Sequence, residues 1–388
     1  MKSNKTLKLA ILSISFLLML RLTISPALAE IGKAFPEVNQ GTLMNMVILA
    51  SVMAIPFGFI SGILANFMKK KTILYIGFIF YIIGGLGPMF APTFNMVLFF
   101  RALLGVGTGL FLPFAAGLIA DFFQGEEREK MIGYQSTAVA LGNIITSILA
   151  GVLATINWRL SFLIYAFAVI TLILVASKMP EPLKIEKQKE QGGMVNRKMM
   201  FVCGAIFIYA IIYYAFFGYL AFVVDSKGLG NAASTGLATM VMTAVSMIAG
   251  IFYAQFVRRL GKAALPFILV VNVVGYYLLS IAGSFSMIVI SAVFIGLGFG
   301  LLMPYGTSKV TKAAPPAAAV FANGLYMTAV NLGTAVSPTI LIAVGKGFNN
   351  PDGQFIFFCC SVALALGLII SILLTLGTKK LKTEKAGS

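Results

Sequence analysis

Twelve long apolar stretches separated by short polar ones dominate this sequence. They fall at 8–31, 42–67, 72–92, 95–121, 131–156, 160–178, 199–224, 232–257, 264–284, 286–308, 317–346 and 354–377. As helices rising about 1.5 Å per residue, all are long enough to cross about 30 Å of hydrocarbon. None shows the apolar/polar alternation of a membrane β-barrel, so a barrel is excluded. Composition closes the remaining routes. With 59% hydrophobic and 11% charged residues, against roughly 25% charged in a soluble domain, the chain cannot coat itself with a polar surface. A cytosolic enzyme, a disordered protein and a secreted disulfide scaffold are ruled out.

The net charge of +17 comes from 29 Lys and Arg against 12 Asp and Glu. With the N-terminus placed in the cytoplasm, 23 of the basic residues lie on the cytoplasmic side, and only Lys33, Arg159, Lys227 and Lys346 lie outside. That is the positive-inside pattern of a multi-pass cell-membrane protein with both termini cytoplasmic, and it accounts for the charge without nucleic acid. Ala27-Leu28-Ala29 resembles a signal-peptidase site. Arg21 interrupts the run before it, and eleven later spans need the first as a packing partner, so the segment is expected to be retained. There is no histidine, and Cys203, Cys359 and Cys360 sit in apolar runs without metal-type spacing. They read as packing residues, with no metal and no cofactor expected.

The chain repeats itself. Gly105-Val106-Gly107-Thr108-Gly109-Leu110-Phe111-Leu112-Pro113 recurs as Gly296-Leu297-Gly298-Phe299-Gly300-Leu301-Leu302-Met303-Pro304, offset by 191. Thr137 to Gly142 recurs as Thr328 to Gly333, again offset by 191, and Gly62 with Lys69-Lys70-Lys71 matches Gly250 with Arg258-Arg259 at 188. The expected architecture is all-α and integral to the membrane: twelve transmembrane helices in two parallel six-helix repeats. Residues 1–178 form the first bundle, 179–198 a cytoplasmic linker rich in Lys, Glu and Gln, and 199–388 the second bundle. Two parallel repeats around a central site are a design of secondary transporters.

Over nearly its whole length the sequence resembles the major facilitator superfamily. The resemblance is carried by Gly62 to Lys71 between segments 2 and 3, by Arg101 followed by Gly105, by Asp121 with Glu127-Arg128, and by Trp158-Arg159. It implies alternating access, a cavity lined by segments 1, 4, 7 and 10, and a working monomer. It also implies a cytoplasmic gate near Asn66, Lys70, Asp121 and Arg128. The family pattern has an acid where Asn66 stands and a base where Phe67 stands. The Gly-Pro pair of proton-driven drug antiporters is missing from Gly142 to Gly151.

Two arginines lie inside apolar segments. Arg21 is nine residues before Glu30 and Arg101 eight after Thr93, so each sits roughly 12–13 Å below the outer surface. A charge at that depth normally faces the bundle interior or a water-filled cavity. No carboxylate shares it, because Glu30, Asp121, Asp225 and Asp352 are near helix ends. An unpaired buried guanidinium wants an anion, and a substrate could be that anion. Arg101 has a second reading, as a structural donor to backbone carbonyls. Symmetry sharpens the contrast, since the glycines repeat while Arg101 matches Ala292 and Arg21 falls near Tyr209 at an offset of 188. Tyr209, Tyr213, Phe216 and Phe217 share one helix face. Tyr209 and Tyr213 are substrate-binding candidates, with Tyr305, Tyr326 and Asn331 weaker ones. Gly105 with Gly109 and Gly296 with Gly300 are small-xxx-small pairs that let helices approach. Pro113 and Pro304 permit bending. These six are read as packing and gating residues.

The reading that follows is a secondary transporter of a small molecule, an organic anion met by Arg21 and Arg101, coupled to a proton or a counter-anion. The alternative is multidrug efflux of amphipathic compounds, supported by 33 Phe, 19 Met and 13 Tyr. No catalytic pair suggests an enzyme, and no loop is large enough for a receptor domain.

Overall fold

The computed structural model describes residues 5–18, 20, 22–181, 196–314 and 319–384. The described residues hold thirteen α-helices and four 3-10 stretches, with no strand among them. They are α1 Lys5–Leu17, α2 Leu28–Ala34, α3 Gln40–Phe67, α4 Lys70–Leu86, α5 Phe94–Phe122, α6 Gly125–Ile156 and α7 Phe167–Lys178. Then follow α8 Arg197–Ser226, α9 Ala232–Leu260, α10 Ala264–Ser280, α11 Phe285–Ala313, α12 Ala319–Gly347 and α13 Gly353–Glu384. Short polar side chains set several starts by accepting a free backbone N–H of the first turn. Asn39 does so for α3, Thr93 for α5 and Ser284 for α11. Among the described residues, ten stretches are long and apolar enough to cross a membrane, and one of them, Ala232–Ser280, spans both α9 and α10.

The first apolar segment departs from a single regular helix. After α1 the described residues Leu18, Leu20 and Leu22–Ile24 lie in turns, and a 3-10 turn follows at Ser25–Ala27 before α2 begins. Pro26 explains part of this, since it has no N–H to give and its ring crowds the carbonyl four residues back. Segment 6 also opens on a 3-10 stretch, Trp158–Ala166, ahead of α7.

The chain divides into two compact units. One comprises Met1–Glu190 with Leu220–Met240, the other Gln191–Tyr219 with Val241–Ser388. In the first, α5 lies along α3 through its glycines. A methyl group on Gly105 would stand 2.6 Å from the Ala50 carbonyl oxygen, and one on Gly109 2.6 Å from that of Ala54. In the second, Gly296 and Gly300 of α11 press on the Met242 and Ser246 carbonyls of α9 in the same way. Likewise Gly142 of α6 meets the Phe16 carbonyl of α1, as Gly333 of α12 meets the Phe207 carbonyl of α8.

These contacts fix the repeat at 191–192 throughout and correct one pairing. Gly58 faces the Gly109 carbonyl as Gly250 faces that of Gly300. The counterpart of Gly250 is therefore Gly58, not Gly62, and the counterpart of Tyr209 falls at Leu17–Leu18, not Arg21. Close backbone approach at small residues is what holds apolar helices together in lipid, where burial of oily surface gives no preference.

Candidate functional site

Arg101 is fully buried in α5. Its Nε donates to the Met46 carbonyl at 3.1 Å and its Nη2 to the Val47 carbonyl at 3.1 Å, both in α3. Nη1 donates to the Tyr165 hydroxyl at 2.6 Å, and that hydroxyl donates to the Leu20 carbonyl at 3.0 Å. A charge that cannot escape to water is thus spread over carbonyl and phenol oxygens. The structure gives Arg101 the backbone-bonding surroundings of its second reading. Arg21 lies outside the described residues.

In the second unit the aromatic candidates come together around Tyr213. Its ring stacks on Phe299 of α11 at 4.0 Å between centroids and 10° between planes. Tyr209 lies stacked at 6.3 Å and Phe217 edge-on at 5.3 Å. Tyr209 is pinned, its hydroxyl donating to Asn272 Oδ1 at 3.0 Å, while Asn272 Nδ2 donates to the Ile268 carbonyl at 2.8 Å. Tyr213 and Phe299 are only half-buried. Tyr326 is buried and donates to the Met303 carbonyl at 3.3 Å, its ring filling the space left by Gly306. Tyr305 instead lies under Lys309, whose Nζ is 5.1 Å from the ring centre. Asn331 is half-buried in α12.

Two charged clusters mark the ends of the first unit. At one end Lys70, in the first turn of α4, donates to Asp121 at the end of α5 at 2.6 Å. Lys8 pairs nearby with Glu127 at 2.7 Å. The side chain of Asn66 lies outside the described residues, and Arg128 is exposed. The Lys70 and Asp121 side chains are 20% and 10% exposed, so their pair should exceed a solvated one. In a thermal-unfolding cycle of Lys70→Gln and Asp121→Asn we expect a coupling of about 1 kcal/mol. Additive effects of the two substitutions would contradict it.

At the other end Lys33 of α2 donates to Asp225 near the end of α8, and to Glu30 at 3.2 Å. The hydrogen bond to Asp225 raises the Lys33 ammonium above the ordinary lysine value, against a smaller opposing effect of burial. A raised value means that the stabilisation is complete below the ordinary lysine pKa and is lost only as pH rises through the raised one. Lys33 therefore stays charged at neutral pH. Arg159 caps the neighbouring turn, donating to the Met89 and Ala91 carbonyls at 3.0 and 2.8 Å while stacking on Trp158.

A family profile described as Major Facilitator Superfamily matches residues 10–338. The chain belongs to that superfamily. It is a multi-pass membrane transporter of small molecules and not an enzyme. Among its relatives is Multidrug resistance protein 1 of Bacillus subtilis (strain 168), 27% identical over 327 residues, which are 81% of this chain and 82% of that protein. Another is the quinolone resistance protein NorA of Staphylococcus aureus (strain MRSA252), 24% identical over 361 residues, 89% of this chain and 90% of that protein. Among solved structures, the D-xylose-proton symporter superposes with a TM-score of 0.70 at 17% identity, covering 94% of this chain and 96% of the other. That likeness is one of fold.

Within this superfamily member, two site features escaped sequence reasoning. Phe299 was hidden inside a glycine motif read wholly as packing. Tyr165, a hydroxyl in an otherwise apolar stretch, carried a readable signal, because a buried phenol O–H needs an acceptor.

Proposed function

We propose that this transporter expels amphipathic compounds with a planar aromatic part from the cell. The observation that carries the reading is the stacked pair Tyr213–Phe299, two half-buried aromatic faces on α8 and α11 with the neutral Tyr209–Asn272 pair beside them. Offset stacking accepts many flat partners, because every aromatic ring offers the same kind of face. The names of the two bacterial relatives, a multidrug and a quinolone resistance protein, support export of such compounds. On this reading the repeats 1–178 and 199–388, joined by the 179–198 linker, are the moving bodies of a monomer with both termini in the cytoplasm. Lys70 and Asp121 belong to its cytoplasmic gate.

An organic anion is the second substrate reading. It rests on Arg21 alone, since the guanidinium of Arg101 is engaged by Met46, Val47 and Tyr165. Its support is positional: at the repeat interval of 191–192, Arg21 falls opposite Ile212 or Tyr213 of the aromatic face. The coupling ion would then be a proton or a counter-anion.

Efflux from proteoliposomes of a planar lipophilic cation and of an aromatic carboxylate tests both readings. Tyr213→Ala is expected to impair both substrates. Loss of carboxylate efflux alone in Arg21→Gln would establish the anion reading. Wild-type dye efflux by Tyr213→Ala would defeat the aromatic one.

A further inference from the structure

The end of the second unit at which α9 and α11 finish carries cations without acids. Gly296 and Gly300 of α11 press on the Met242 and Ser246 carbonyls of α9, and the side chains of Tyr253 and Ser308 are hydrogen-bonded. The two helices thus run side by side in the same direction at an interval of 54–55 positions, which sets Arg258 level with Lys312. Arg258, Arg259, Lys262, Lys309 and Lys312 are all exposed. None of them has a carboxylate partner among the described residues. Lys309 lies over the Tyr305 ring instead. The second unit holds only two acids, Asp352 and Glu384. Asp352 lies at the other end, beside Gln354, which donates to the Ala282 carbonyl beyond α10. Glu384, the last residue of α13, has Lys379, Lys380, Lys382 and Lys385 around it in sequence.

The first unit shows what the second lacks. At its corresponding end Lys70 meets Asp121 at 2.6 Å, Lys8 meets Glu127 at 2.7 Å and Lys130 meets Glu126 at 2.6 Å. At the repeat interval of 191, Asp121, Glu126 and Glu127 fall opposite Lys312, Ala317 and Ala318. One copy of the motif therefore carries its own anions and the other does not. Membrane topology asks only for the number of cations on a side, so it leaves this gathering on one helix pair unexplained.

A second observation points to what covers the cations. On α9, Ile248, Ile251 and Phe252 are 51%, 70% and 52% exposed. With Gln255, Arg258 and Arg259 they recur three and four residues apart, so all six lie on one helix face. That face is apolar first and doubly cationic at its end. From Ile248 to Arg258 is roughly 15 Å of helix, half of the roughly 30 Å thickness of the hydrocarbon core. A free phosphate would use the arginines alone. A phospholipid matches the whole face, with a chain along the apolar part and its phosphate at the guanidinium groups, whose planar forks suit phosphate oxygens. We propose that this end of the second unit binds an anionic phospholipid, which supplies from the bilayer the negative charge that Asp121 supplies in the first unit.

The test measures binding of dioleoylphosphatidylglycerol to the purified chain in mixed micelles. Dioleoylphosphatidylcholine has the same chains and no net charge, and glycerol phosphate has the charge and no chains. We expect about a ten-fold preference for phosphatidylglycerol over phosphatidylcholine, and loss of that preference in the double variant Arg258→Gln, Arg259→Gln. Both arginines are exposed, so their replacement leaves the fold intact. The double variant Lys8→Gln, Lys130→Gln removes as much positive charge from the first unit and should keep the preference. Lys312→Asp places a carboxylate level with Arg258, as Asp121 stands against Lys70, and should lose most of it. No preference in the wild type, an equal loss in the first-unit variant, full preference in Lys312→Asp, or displacement of the lipid by glycerol phosphate would each overturn the proposal.

Discussion

Tyr213→Ala and Phe299→Ala will each lower kcat/KM for efflux of a planar aromatic compound by roughly ten-fold or more, while Tyr213→Phe stays within about two-fold of wild type. A ten-fold loss is about 1.4 kcal/mol, and an aromatic stack contributes about 0.5–1.5 kcal/mol beyond the apolar area it buries. Either alanine removes one face of the stack and leaves the other ring exposed. The phenylalanine control keeps the face and deletes the hydroxyl, so it separates stacking from hydrogen bonding. Rates should be measured across substrates of differing planarity, because a loss confined to flat compounds is what stacking requires. An equal loss for flat and globular compounds would point to disturbed packing of α8 on α11 instead.

The larger effect on stability will come from Gly105→Leu. Even the first carbon of the new side chain would sit 2.6 Å from the Ala50 oxygen and 2.6 Å from Met53 Cβ. Neither backbone can retreat without opening the α3–α5 seam along its length. We expect a cost above about 3 kcal/mol, beyond ordinary overpacking, read as loss of monodisperse protein in detergent. Gly62→Ala is the matched control. Nothing lies within 4 Å of its added carbon, so it should unfold at or slightly above the wild-type temperature, since alanine restricts the unfolded chain more than glycine. A Gly105→Leu protein as stable as wild type would mean that α3 and α5 do not approach as described.

Why these effects fall where they do bears on what a sequence discloses. Membrane spans and the repeated glycine motif were legible because each expresses a local demand. A span must be apolar along its whole length, and a glycine must stand where one backbone meets another. The register of the second segment was not legible from charge. Pairing Lys69-Lys70-Lys71 with Arg258-Arg259 set Gly250 against Gly62, one helical turn from its true counterpart Gly58. Long basic side chains reach the interface from several positions, so their placement drifts while the glycine's does not. Arg101 was legible as a buried charge and ambiguous in role, because its acceptors are mainly the carbonyls of Met46 and Val47. Carbonyls belong to every residue and leave no trace in composition. Phe299 was overlooked for the opposite reason. Its neighbours Gly298 and Gly300 announce helix packing so strongly that the one large side chain between them passes for filler.

The contact between Lys33 and Asp225 spans 192 positions, the same interval that relates Gly58 to Gly250. Two positions that are equivalent to within one residue in a duplicated chain therefore touch each other. In an assembly of two identical subunits, a contact of that kind brings a residue against its own copy. A lysine there would face a lysine, and an aspartate an aspartate, and like charges repel. Only after both copies are joined in one polypeptide can the two positions acquire opposite signs. An ion pair between such positions is open to one polypeptide that carries both copies and closed to a residue facing its own copy.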